Sequence, residues 1–312
     1  MASPPSAPAP LRQRALRAPA HISVASRLVL GLTAMVAVGT AALSLPGMTT
    51  IPLTFMDTLF TAASAVTVTG LTVVTTSTSF TPLGQLTLLL LIQFGGLGYV
   101  VLVVAALRLL GRHVSLTERM TLSAELGLGR TRSILSILQR TIILMLAIEA
   151  AGALLLWAYW GVTGLAPAGR TFFYAVFHAV AAFCNAGFDL FYGLPGGPSG
   201  PPLDIPTMLI MGTIVILGGL GIPVYLDAIY RERRRRLTLH TRVTLAVSAG
   251  LILIGMAGLL LTEYWLKGAL SGTSWGYRTT LAWFQSVSTR TAGFPGLAGL
   301  VDLHPGSVLL LL

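Results

Sequence analysis

From position 58 to position 107 the chain carries no formally charged side chain. A water-soluble domain draws about a quarter of its residues from Asp, Glu, Lys and Arg, so no soluble core tolerates such a stretch. In hydrocarbon, backbone donors and acceptors must be satisfied within the segment, which leaves helices or closed barrels. Apolar runs of about 20 residues favour helices. The whole chain agrees: it is 54% hydrophobic and 10% charged, with a mean hydropathy of +0.81. The sequence predicts an all-α polytopic membrane protein embedded in the lipid bilayer.

The formal net charge of +10 is not spread evenly. Of the 20 basic residues, 16 precede the first apolar run or fall in 108–140 and 231–242. Only Arg170, Lys267, Arg278 and Arg290 lie in the alternate segments. Basic loops stay on the cytoplasmic side, which places the N-terminus in the cytoplasm and the protein in the cell membrane. The same alternation argues against a nucleic-acid surface, because the arginine run at 231–236 reads as a cytoplasmic stop after a span. Residues 1–23, rich in Pro and Ala, read as a cytoplasmic tail without fixed structure. The apolar run after Arg27 is too long for a signal-peptide core. A single cysteine, Cys184, rules out an intrachain disulfide.

Full-length spans are predicted near 28–46, 83–107, 138–160, 205–227 and 243–265. Shorter apolar runs at 54–66, 171–183 and 279–289 are too brief to cross and read as re-entrant half-helices. After each comes a rhyming segment: Val66-Thr67-Val68-Thr69-Gly70-Leu71, Phe183-Cys184-Asn185-Ala186-Gly187-Phe188 and Thr289-Arg290-Thr291-Ala292-Gly293-Phe294. An aromatic residue stands ten positions before each glycine, at Phe60, Phe177 and Trp283. The second spans rhyme as well, in Gln93-Phe94-Gly95-Gly96-Leu97-Gly98-Tyr99 and Ile216-Leu217-Gly218-Gly219-Leu220-Gly221-Ile222. Matches in the same order make an internal repeat. Repeat 1 covers 24–110, with a filter-like turn at 67–70. Repeat 2 covers 133–230, with a turn at 184–187, and repeat 3 covers 243–312, with a turn at 290–293. Basic cytoplasmic loops at 111–132 and 231–242 separate them. The third repeat stops inside an apolar run at 308–312, and the sequence reads as a piece of a longer protein.

A dehydrated cation needs several oxygens in place of its hydration shell, and backbone carbonyls supply them without a buried full charge. Aligning successive carbonyls takes unusual backbone angles, for which glycine is suited. The turn residues are Thr67, Val68, Thr69 and Gly70; Cys184, Asn185, Ala186 and Gly187; and Arg290, Thr291, Ala292 and Gly293. The half-helices should aim their partially negative C-terminal ends at the pathway, and Asp57 suits the opposite end of the first. Arg290, inside the third turn, is expected to point away from a cation path and brace the turn from behind. Glu149, deep in a span, reads as a hydrogen-bonded structural acid, a cation site or a partner for a buried arginine. Asp189, just past the second turn, either concentrates cations at the outer mouth or is a solvated loop residue. His178 in the second half-helix reads as a structural histidine. The Gly-Gly-Leu-Gly runs read as close helix packing. No catalytic set, transition-metal cluster or cofactor fingerprint emerges, and no enzyme activity is expected.

The second and third turns, with the run from Phe284 to Phe294, resemble the filter segments of the Trk/Ktr/HKT potassium transporters, and Thr67 to Leu71 resembles the first. The resemblance implies four helix–pore-helix–filter–helix repeats of potassium-channel-like architecture and a potassium path along the turns. It also implies a homodimer carried on a cytoplasmic nucleotide-binding regulatory subunit, with any nucleotide held by that partner. The early first turn is more similar to the Ktr-type pore subunit than to the longer Trk type. A fourth turn is then expected beyond Gly293. The alternative is a secondary transporter of another class, with substrate bound at broken helices.

Overall fold

A computed structural model describes residues 24–96, 134–194, 200–221, 223–228, 237–265, 274–294 and 306–307. The expected tail at 1–23, the loop at 111–132, the arginine run at 231–236 and the end of the chain at 308–312 lie outside the described residues. Among the described residues the structure is helical, without strands; one isolated antiparallel bridge joins Thr49 and Phe80.

The helices are α1 (Val24–Leu43), α2 (Phe55–Thr67), the single turn α3 (Thr76–Ser79), α4 (Pro82–Gly96), α5 (Ile134–Thr163), α6 (Thr171–Phe183), α7 (Ile205–Gly219), α8 (Leu239–Leu260) and α9 (Trp275–Val287). Their starts follow local chemistry. Thr54 caps α2 in a reciprocal box, its hydroxyl accepting from Asp57 N while Asp57 Oδ2 accepts from Thr54 N at 2.9 Å. Asp204 caps α7, Thr238 caps α8 and Ser274 caps α9. Such side chains satisfy donors that a helix start leaves unpaired. The cap at Ser274 explains why α9 begins before the apolar run at 279: its first turn, Trp275 to Arg278, is amphipathic rather than apolar.

The expected span at 205–227 is not one continuous helix. It is interrupted at Gly221, whose φ is +78°, and resumes over 223–228. Glycine there accepts a left-handed backbone that ends α7, and Pro223 follows it. Beyond the break, Asp227 Oδ2 accepts from Thr238 N at 2.9 Å, Thr238 Oγ1 at 2.5 Å and Thr241 Oγ1 at 2.6 Å. This carboxylate ties the end of one helical stretch to the start of α8.

Packing follows a progression. α1, α2 and α4 contact one another, as do α5, α6 and α7, and α8 packs on α9. Between these groups, α4 touches α6 and α7 touches α9, so the last long helix of each group leans on the short helix of the next. The glycine pairs make this close. A Cβ on Gly95 would lie 2.2 Å from Val66 O, and one on Gly218 would lie 1.8 Å from Phe183 O. Each of these glycines therefore rests directly on the last turn of its own short helix. Side-chain stitches add to this: Thr81 Oγ1 to Gly47 O at 2.7 Å, Trp160 Nε1 to Thr207 Oγ1 at 2.9 Å, and Thr262 Oγ1 with Ser307 Oγ at 2.6 Å.

Two described helices, Gln139–Thr163 and Leu239–Glu263, are long and apolar enough to cross a membrane. Only 11% of the apolar window of the second is buried, and Val247 and Ile254 stand exposed on it. An apolar face of that extent is unstable against water and suits lipid.

Candidate ion pathway

The short helices α2 and α6 end in turns built alike. In the first, Val68 has φ +56° and Gly70 φ +72°; in the second, Asn185 has φ +58° and Gly187 φ +66°. A left-handed residue at every second position is an unusual backbone, which glycine accepts readily. The N–H groups fold back onto the helix ends, Thr69 N to Ser64 O at 3.0 Å and Ala186 N to Ala181 O at 2.8 Å. That leaves the carbonyls of the turn to face elsewhere.

The third turn departs from this pattern. α9 ends at Val287, and the chain widens into a π-helical turn, Ser288–Ala292, before Gly293 takes φ +67°. Arg290 and Thr291 thus lie within this helical turn, whereas Val68 already stands past the end of α2 in left-handed backbone. Gly293 N bonds Ser288 O at 2.9 Å, and Ser288 Oγ donates to Phe294 O at 2.7 Å.

All three glycines meet. Gly70, Gly187 and Gly293 line one cavity of about 580 Å³, walled further by Thr72 to Thr76, Asp189 and Tyr192. A Cβ on Gly70 would lie 2.6 Å from Ala186 O, and one on Gly187 would lie 2.5 Å from Ala292 O. The corresponding point on Gly293 meets nothing closer than Gly187 Cα at 3.9 Å. Each of the first two glycines backs onto the carbonyl of the next turn, and the third has no such neighbour among the described residues.

The remaining sequence candidates sit behind this surface. Thr67 Oγ1 donates to Ala63 O at 2.7 Å, which turns its hydroxyl to the helix backbone. The Arg290 guanidinium reaches α8, making long contacts to Ser248 O at 3.4 Å and Ser248 Oγ at 3.5 Å. Glu149 is buried in α5, where its Oε1 accepts from Gln93 Nε2 of α4 at 3.1 Å. Its neighbour is therefore an amide from the preceding group. Cys184 packs against Gly96, where an added Cβ would come within 2.3 Å of the sulfur. Asp189 lines the mouth, but His178 and the backbone of Phe191 and Tyr192 occupy its oxygens. Asp57 stays at the far end of α2, in the capping box.

Gln93, Ser248 and the threonines of the mouth were not singled out by sequence. Gln93 had a readable signal, as one of two amides in a leucine-rich span. The run Thr75 to Ser79 had one too, since hydroxyls cluster there directly after a turn. Ser248 had none.

A family model described as TrkH, cation transport protein, matches residues 22–311. The Ktr system potassium uptake protein B of Bacillus subtilis is 34% identical over 275 residues, covering 86% of this chain and 60% of its own length. The potassium/sodium uptake protein NtpJ of Enterococcus hirae is 32% identical, covering 82% of this chain and 55% of its own. The Ktr system potassium uptake protein B of Vibrio alginolyticus is 34% identical, covering 81% and 55%. The chain thus spans little more than half the length of these curated relatives. The crystal structure of the potassium transporter TrkH from Vibrio parahaemolyticus shares the fold, with a TM-score of 0.56 at 22% identity over 86% of this chain and 51% of that one. With its model matched across nearly the whole sequence, the chain belongs to the TrkH family of cation transport proteins.

Proposed function

We propose that this chain forms much of a potassium uptake pathway across the cell membrane, lined by backbone carbonyls of the turns at 67–70, 184–187 and 290–293. The observation that carries it is the meeting of Gly70, Gly187 and Gly293 at one cavity, each just past the C-terminal end of a short helix. Those ends bring partial negative charge to the place where a cation sheds water. The names of the relatives, potassium uptake and potassium/sodium uptake proteins, support potassium as the cargo. Transporters built on inverted repeats bring half-helices from opposite faces. Here the three helix ends converge on one cavity, which favours the channel-like reading.

The pathway runs with the basic loops and the N-terminus in the cytoplasm, by the charge asymmetry of the sequence. The resemblance to Ktr-type pore subunits supports a homodimer bound to a cytoplasmic nucleotide-binding regulatory subunit. Growth of a potassium-uptake-deficient bacterial strain on low potassium tests the proposal. The full-length protein should restore growth and potassium uptake; expression in the membrane without uptake would count against it.

A further inference from the structure

We infer that His178 and Asp189 form a clamp that positions the second turn and thereby helps set which cation the pathway accepts. The inference rests on reading that turn as part of an ion path. His178 lies on α6 before the turn, and Asp189 follows Phe188 directly after it. His178 Nε2 and Asp189 Oδ1 are 2.8 Å apart, so the contact closes a loop around residues 184–188. The other carboxylate oxygen accepts from Phe191 N at 3.1 Å and Tyr192 N at 2.6 Å. One side chain therefore holds both the helix and the chain leaving the turn.

The imidazole has little freedom. Its Nδ1 lies 2.7 Å from Tyr174 O, a carbonyl that can only accept, so Nδ1 carries a hydrogen. Trp160, Phe177 and Phe191 wall the ring with centroids at 5.5, 5.8 and 5.0 Å, and the residue is 0% exposed. Phe294, next to Gly293 of the third turn, packs at 6.5 Å. The clamp thus touches two turns. With Asp189 Oδ1 held against His178 Nε2 and Oδ2 engaged by two backbone donors, it acts as a positioning residue for the turn and not as a free ligand in the mouth.

The first and third turns have no such pair among the described residues. The matching positions are Thr61 and Thr72 in the first and Phe284 and Pro295 in the third. Their straps are hydroxyl bonds, Thr69 Oγ1 to Ser64 Oγ at 3.2 Å and Ser288 Oγ to Phe294 O. A carboxylate–imidazole contact whose ring is fully buried among aromatic side chains is the stiffer link.

The test is competition between potassium and sodium for uptake by the full-length protein in a potassium-uptake-deficient strain, scaled to its abundance in the membrane. Asp189→Ala and His178→Ala should each lower the potassium-to-sodium preference about tenfold, the scale of losing one well-made buried hydrogen bond. The double variant should fall no further than either single one, because both break one link. Asp189→Asn can donate to Nε2 and still accept from the backbone, so it should stay within about twofold of wild type. Unchanged preference in Asp189→Ala would overturn the clamp. So would equal damage in Asp189→Asn and Asp189→Ala, which would make charge at the mouth the cause. Should His178→Ala fail to accumulate, the two Asp189 variants decide by the same criteria. A wild-type protein without potassium preference would overturn the pathway reading itself, and the clamp with it.

Discussion

A Cβ on Gly187 would stand 2.5 Å from the carbonyl oxygen of Ala292, a residue of the following turn. Backbone, not a pliable side chain, occupies that space, and the φ of +66° at Gly187 adds strain for any other residue. Gly187→Ser should therefore push the second and third turns apart and reduce discrimination of potassium over sodium by about tenfold or more, since selectivity depends on how carbonyls are arranged. Competitive uptake measures it, and unchanged preference would count against a carbonyl-lined path.

The paired glycines of α7 should behave oppositely. A Cβ on Gly218 would collide with Phe183 O, whereas one on Gly219 meets nothing within 4 Å. Gly218→Ala should lower the thermal stability of the purified protein in detergent. Gly219→Ala should be neutral or raise stability by about 0.4–1 kcal/mol through reduced freedom of the unfolded chain. Equal effects would contradict the packing described.

Glu149 and Gln93 join α5 to α4. Glu149→Gln keeps an acceptor for Gln93 Nε2 and removes a buried ionisable group, so stability should hold or rise. Glu149→Leu leaves the amide without that acceptor and should cost about 1–3 kcal/mol. Thermal unfolding separates the two. Loss of potassium uptake in Glu149→Gln at normal stability would instead mark Glu149 as a cation site.

The box at the start of α2 should also be measurable. Thr54→Ala removes the hydroxyl that accepts from Asp57 N and should cost about 1 kcal/mol. Hydrogen exchange at the first turn of α2 is the sensitive readout, and protection equal to wild type would show the cap to be idle.

Much of this was legible in the sequence because membranes restrict what a chain can do. Apolar runs of different length separate the short helix α6 from the long helix α5, and glycines mark where the backbone turns left-handed at Gly70, Gly187 and Gly293. Three things were not legible. The π-helical turn at Ser288–Ala292 is one, since no periodicity of apolar residues encodes a widened turn. The break at Gly221 looked like packing glycine, since its motif repeats one in which Gly95 and Gly96 pack closely. The partners of Glu149 and Arg290, Gln93 and Ser248, come from other helices, and pairing across helices leaves little trace in one sequence.

The most direct test of a shared ion path is where a cation sits. Thallium, a potassium stand-in with strong anomalous scattering, should be soaked into crystals of the full-length protein. The expected result is an anomalous peak between the three turns, within ligand distance of carbonyls next to Gly70, Gly187 and Gly293, that fades when potassium competes and persists in sodium. Thallium bound only elsewhere, or a peak between the turns that sodium removes as readily as potassium, would contradict a potassium path built from these turns.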